Sequence, residues 1–127
     1  MISPFMRTVC RLVTESSRDK YALRGYERRS LFLHRAIAER LASDPEDVLE
    51  QARTTLRRML ERRSRAAPLL DEWTRLLRRP TAELIEVLID PAPHARELRH
   101  VTPFAGVFKA AERAAIYRAF ARAERAA

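Results

Sequence analysis

The chain has 127 residues, 46% of them hydrophobic and 33% charged, with a net charge of +8. That is the length of one domain, and the hydrophobic share is too high for a disordered tail. Two glycines, Gly25 and Gly106, exclude a glycine-rich phosphate loop and a hairpin-rich β fold. The single cysteine, Cys10, excludes an intrachain disulfide and a multi-cysteine zinc site, and fits a reducing compartment.

No apolar run approaches the roughly 20 residues that span a membrane. Arg7 and Arg11 interrupt the apolar N-terminal stretch where a signal peptide would need an unbroken core. The expectation is a cytoplasmic protein with no membrane partner. Of the 25 bases, 23 are arginine, a bias that also dilutes the meaning of any one arginine cluster. Residues 1–30 carry seven bases and three acids, 31–66 eight and six, 67–102 five and six, and 103–127 five and two. An acidic partner would therefore meet the ends or the Arg57–Arg65 stretch, not the near-neutral middle.

Residues 1–29 show no clean period and read as a weakly structured N-terminal extension; 30–127 read as the helical domain. From Ser30, taken as a cap, Leu31, Leu33, His34, Ile37, Ala38 and Leu41 recur at three- and four-residue steps and give one apolar helix face. Ser43-Asp44-Pro45-Glu46-Asp47 predicts a restart, with Asp44 as cap, Pro45 in the first turn and two acids at the positive helix end. The second helix places Val48, Leu49, Ala52, Leu56, Met59 and Leu60 on one face, to about Arg63.

Pro68 opens a third helix with the stripe Leu69, Leu70, Trp73, Leu76 and Leu77, which Arg78-Arg79-Pro80 breaks. Pro80 starts a fourth, carrying Leu84, Ile85, Val87 and Leu88. Asp90-Pro91 starts a fifth, with Ala95 and Leu98 inward. Thr102 to Phe108 breaks the period and reads as an ordered turn whose Phe104 and Phe108 plug the core. A last helix, about Lys109 to Ala126, buries Ala115, Ile116, Ala119 and Phe120. The predicted fold is all-α, a compact array of five or six short helices.

The chemistry is sparse. His94 and His100 are six residues apart, off the spacing that puts two ligands on one helical face. Asp71, Glu72, Glu83, Glu86 and Asp90 fall on polar helix faces or at caps. No catalytic residue, metal ligand, cofactor or small-molecule substrate is expected. Two stretches stand out. Leu33 to Leu49 has the cadence of a helix-turn-helix, with Ala42-Ser43 where a turn glycine usually sits; any capped helical hairpin looks the same. Arg53, Arg57, Arg58, Arg62, Arg63 and Arg65 line a helix with one acid, Glu61, among them, which suits phosphate contact, an acidic partner or a merely solvated face. No aromatics interleave with them, so stacking on single strands is not indicated.

Four segments together carry a resemblance. They are Leu33-His34-Arg35-Ala36-Ile37-Ala38, Leu70-Asp71-Glu72-Trp73 with Leu76-Leu77, Ile89-Asp90-Pro91 through Ala95-Arg96-Glu97-Leu98-Arg99, and Thr102-Pro103-Phe104-Ala105-Gly106-Val107. The chain is similar, over about Leu31 to Arg122, to a family of small actinobacterial antitoxins of two-gene toxin–antitoxin operons. The Asp-Glu-Trp and Pro-Phe-Ala-Gly-Val segments are the strongest markers, and neither is catalytic. The resemblance implies a non-enzymatic protein that binds and neutralises a co-expressed toxin, a nucleotidyltransferase by preference and a nuclease otherwise. Toxin sites that handle nucleotides are commonly basic or metal-bearing, so Asp71, Glu72, Glu83 and Glu86 are the expected toxin contacts. The alternative is a DNA-binding transcriptional regulator that uses 33–49, with operator DNA as its partner.

Overall fold

A computed structural model of the protein describes residues 22–62 and 65–126. Residues 1–21, most of the expected extension, lie outside the described residues, as does the candidate Arg63. Six α-helices and no strand occur among the described residues: α1 (Gly25–Ser43), α2 (Pro45–Glu61), α3 (Ala67–Leu76), α4 (Thr81–Ile89), α5 (Pro93–His100) and α6 (Ala110–Ala126). The all-α array of short helices is thus the fold.

The first helix starts at Gly25, not at Ser30. Its cap is made from within: the Glu27 carboxylate accepts the Arg24 backbone N–H at 3.0 Å. This is one half of a capping box, in which an acid three residues into the helix reaches back to its entry. Ser30 lies inside the helix and caps nothing. Leu31, Phe32, Leu33, His34, Ala36, Ile37, Ala38 and Leu41 are all buried. A helix that is apolar nearly all round sits inside its fold rather than on the surface. Accordingly α1 packs against α2, α4, α5 and α6, most extensively against α4. The single apolar face expected from the spacing underestimated it: Phe32 and Ala36, off that face, are buried too.

At the junction, Asp44 occupies the cap position of α2 but its side chain makes no capping bond; Pro45 begins the helix as expected. The fifth helix begins at Pro93, later than the Asp90-Pro91 signal. The Asp90 carboxylate instead accepts the Ala92 N–H at 2.9 Å and shapes an extended entry to α5. Prolines at 91 and 93 hold φ fixed on both sides of Ala92, which makes that entry stiff.

One core joins the helices. Trp73 is fully buried, meets the Phe104 ring edge-on at 5.6 Å, and donates its indole N–H to the Leu98 carbonyl at 2.9 Å. This single side chain fastens α3 to α5 and to the 102–108 turn. Phe32 meets Phe120 at 5.5 Å, joining α1 to α6. Leu84, Leu88, Leu98, Phe104, Ile116 and Phe120 lie in the same cluster, with Leu76 partly buried against it. Phe104 and Phe108 are both buried, so the turn plugs the core as its aromatics predict.

Charged contacts clamp the outside. Arg28 of α1 holds Glu124 of α6 through two hydrogen bonds, at 2.8 and 3.2 Å. Arg40 reaches Glu112 at 2.9 Å, and Arg96 of α5 reaches Glu27 at 3.0 Å. The guanidinium of Arg29 sits 4.7 Å over the Tyr117 ring. Each is worth little alone where half-exposed, but all tie α1 to a later element.

Candidate functional site

The titratable groups inside the molecule are occupied by the fold. His34 is buried; its Nδ1 lies 2.7 Å from the Ser30 carbonyl and its Nε2 2.9 Å from the Thr102 hydroxyl. A carbonyl can only accept, so Nδ1 carries the proton and Nε2 accepts from Thr102. The Thr102 oxygen in turn accepts the Phe104 N–H at 3.1 Å. Burial, with the positive Arg99 nearby, pushes the His34 pKa down to about 4 and keeps the ring neutral. This chain of bonds pins the 102–108 turn to α1 and leaves the imidazole no free nitrogen.

Arg99 is the second buried polar residue among those described. It donates to the Asp90 carbonyl just past α4. The last turn of α4 contains no base of its own, so α5 supplies the cation that helix carbonyls favour. Tyr26, Glu27, Ser30, Arg96, Arg99 and His100 enclose a void of about 10 Å³, room for one water at most.

The predicted acidic contacts are divided. Glu72 on α3 accepts from His94 of α5 at 2.8 Å, and this bond raises the His94 pKa. Glu83 on α4 holds Arg79 at 2.9 Å. Asp71 and Glu86 are exposed on α3 and α4. Two of the four are therefore already engaged within the chain. No group of three or more metal-ligating side chains occurs among the described residues.

The arginine stretch is brought to an edge. Arg53, Arg57, Arg58, Arg62 and Arg65 are all exposed on α2 or just after it. Arg53 and Arg57 flank a groove between α2 and α3 of about 200 Å³, lined by Arg53, Leu56, Arg57, Leu60, Thr74, Leu77 and Arg78. The spacing explains it. Positions 53, 56, 57 and 60 form one row of α2, at steps of three and four; 74 in the last turn of α3, with 77 and 78 just past its end, faces that row. Leu56 and Leu77 make a floor continuous with the core, while Leu60 is 37% exposed. Arg53 is drawn toward Glu50 at 4.0 Å, and Arg57 donates to Thr54 at 3.3 Å. Arg78 was not among the sequence candidates. The Arg-Arg-Pro segment read only as a helix stop, and its place opposite Arg53 and Arg57 follows from packing alone.

The helix-turn-helix candidate at 33–49 spans the end of α1 and the start of α2, joined by Asp44 as the one non-helical residue. That junction is shorter than the three- or four-residue turn of the DNA-binding motif.

No known protein family, characterised protein or solved structure matches the chain.

Proposed function

We propose that the protein is an antitoxin-type binding protein, non-enzymatic, that holds a co-expressed toxin through its helical body. The resemblance in four segments of the sequence supplies the class: a nucleotidyltransferase toxin first, a nuclease second. The observation that carries a binding role is the α2–α3 groove, an apolar floor walled by Arg53, Arg57 and Arg78. The interior histidine and most interior charges are meanwhile engaged in holding the fold. Natural partner sites combine an apolar centre with a polar rim and are enriched in arginine, and the apolar floor and arginine walls of this groove fit that pattern. Asp71 and Glu86 supply a second, acidic contact for a basic toxin surface.

The test is co-expression with the product of the neighbouring reading frame. The full chain should restore growth and co-purify with that product. The double variant Arg57→Glu, Leu60→Asp should accumulate as a helical protein yet fail to rescue. A wild-type chain that accumulates but neither rescues nor co-purifies sinks the antitoxin reading.

The regulator reading keeps one supporting observation, the row of exposed arginines on α2. It predicts duplex DNA binding whose affinity falls with salt at a log–log slope of about −0.9 per phosphate neutralised.

A further inference from the structure

The α2–α3 groove has two properties that a phosphate-binding face does not need. Its floor is apolar, built from Leu56, Leu60 and Leu77, and Leu60 is left 37% exposed there. Its walls are cationic on both sides, Arg53 and Arg57 from α2 and Arg78 following α3. At about 200 Å³ it is smaller than the roughly 300–1,000 Å³ of small-molecule sites. That volume takes one or two anchoring side chains of a larger body.

We propose that this groove seats an acidic amphipathic helix of a protein partner, its leucine-type anchors on the Leu56–Leu60–Leu77 floor and its Asp or Glu residues against Arg53, Arg57 and Arg78. It rests on the reading of the chain as a protein-binding antitoxin, and names the chemistry of the partner element. Helix-in-groove recognition uses anchors at steps of three, four and seven, the same steps that space the two lining rows. In the complex the carbon stems of the arginines extend the apolar wall, and their guanidinium groups pair carboxylates in two-pronged fashion, Arg53 and Arg57 exchanging their weak contacts with Glu50 and Thr54.

Charge selects this occupant over the others. The first 21 residues of the chain carry four bases and two acids, the same sign as the groove walls, so the chain's own terminus is repelled. Duplex DNA would pair with the arginines but would leave the leucine floor uncovered.

The probe is a labelled, end-capped 18-residue peptide with leucines at steps of three and four and glutamates on both flanks; a control replaces every glutamate with lysine. The full chain should bind the acidic peptide saturably and the lysine control at least tenfold more weakly. Leu60→Ser, which removes apolar contact without changing charge, should weaken the acidic peptide by about tenfold and leave binding of a 20-base-pair duplex unchanged. Arg57→Glu with Arg78→Glu should weaken it further. The expected loss is that of one central anchor.

Failure of the acidic peptide to bind up to about 1 mM overturns the proposal, as does equal binding of the lysine control. Duplex DNA that binds more tightly than the acidic peptide assigns the face to nucleic acid instead. A dimer in solution that Leu60→Ser dissociates assigns it to a second copy. Growth rescue by the full chain alongside any of these results would leave the antitoxin reading standing with a different contact surface.

Discussion

His34 shows how one residue decides whether a feature is chemistry or architecture. On the sequence it sits in an apolar helix face, where a ligand, a catalytic base and a packed core residue look alike. Its two nitrogens are consumed by Ser30 and Thr102, which leaves architecture. The consequence is measurable. Its ordinary pKa of 6.5 holds in the unfolded chain, while burial lowers the folded value to about 4. The unfolded state therefore takes up the proton first. The His34 contribution to stability is full above pH 6.5, declines as pH falls from 6.5 toward 4, and amounts to about 3 kcal/mol in all. Glu27 and Glu112 hold folded pKa values below their ordinary 4.5, through backbone N–H bonds from Arg24 and Lys109, so their losses come at lower pH. His94, raised by Glu72, acts with the opposite sign and above 6.5. The interval between 4.5 and 6.5 belongs to His34. Urea midpoints across it should slope downward toward acid in the wild type and run flatter in His34→Leu. Equal slopes in the two proteins would show that the buried ring is not what titrates.

At the scale of elements, the entries of α2, α3 and α4 were legible from their prolines, whereas that of α1, with its first-turn acid Glu27, was not. Pro45 and Pro68 stand in the first turns of α2 and α3, and Pro80 immediately precedes α4. The errors cluster where tertiary contact overrides local pattern. The span Gly25–Arg29 has no apolar period, so it read as extension; it is helical because Glu27 and Arg28 are held by Arg96 and Glu124 from other elements. Asp90-Pro91 has the form of a helix start, but the second proline at 93 moved it. The groove was half legible: α2's arginines were visible as a row, whereas Arg78 and the packing of α3 beside α2 need the fold. The late start of the expected domain matters for any truncation. Compare a chain beginning at Ala22 with one beginning at Ser30. The shorter one loses the buried Leu23 and the Glu27–Arg96 and Arg28–Glu124 pairs. Burial of one leucine contributes about 2 kcal/mol, and the partly exposed Arg28–Glu124 pair and the more covered Glu27–Arg96 pair add a fraction of a kcal/mol each. The chain from Ser30 should therefore unfold about 3 kcal/mol more easily, read from urea midpoints. Equal midpoints would place the stabilising start of α1 at Ser30 after all.

At the scale of the molecule, the groove and the core cannot be separated. Leu56 and Leu77 form the groove floor and belong to the cluster that holds Trp73, Leu84 and Phe104. Helix α1 packs against at least four of the other five helices, so no group of helices owns a core of its own. Two consequences follow from that connectivity. Unfolding should be one cooperative event: the fluorescence of Trp73, the only tryptophan, and far-ultraviolet circular dichroism should lose signal at the same urea concentration. Binding should also draw on a surface already formed, since the floor is fixed by the interior rather than by the partner. A ligand that binds only the folded state stabilises it by mass action, about 2.7 kcal/mol at a hundredfold excess over Kd. Saturating acidic peptide should accordingly raise both midpoints together while the helical signal contributed by this chain stays constant. A fluorescence transition that precedes the loss of helix would mark the Trp73 corner of α3 and α5 as a separate unit. A gain of helix in the chain on binding would mean that the groove is assembled by its occupant.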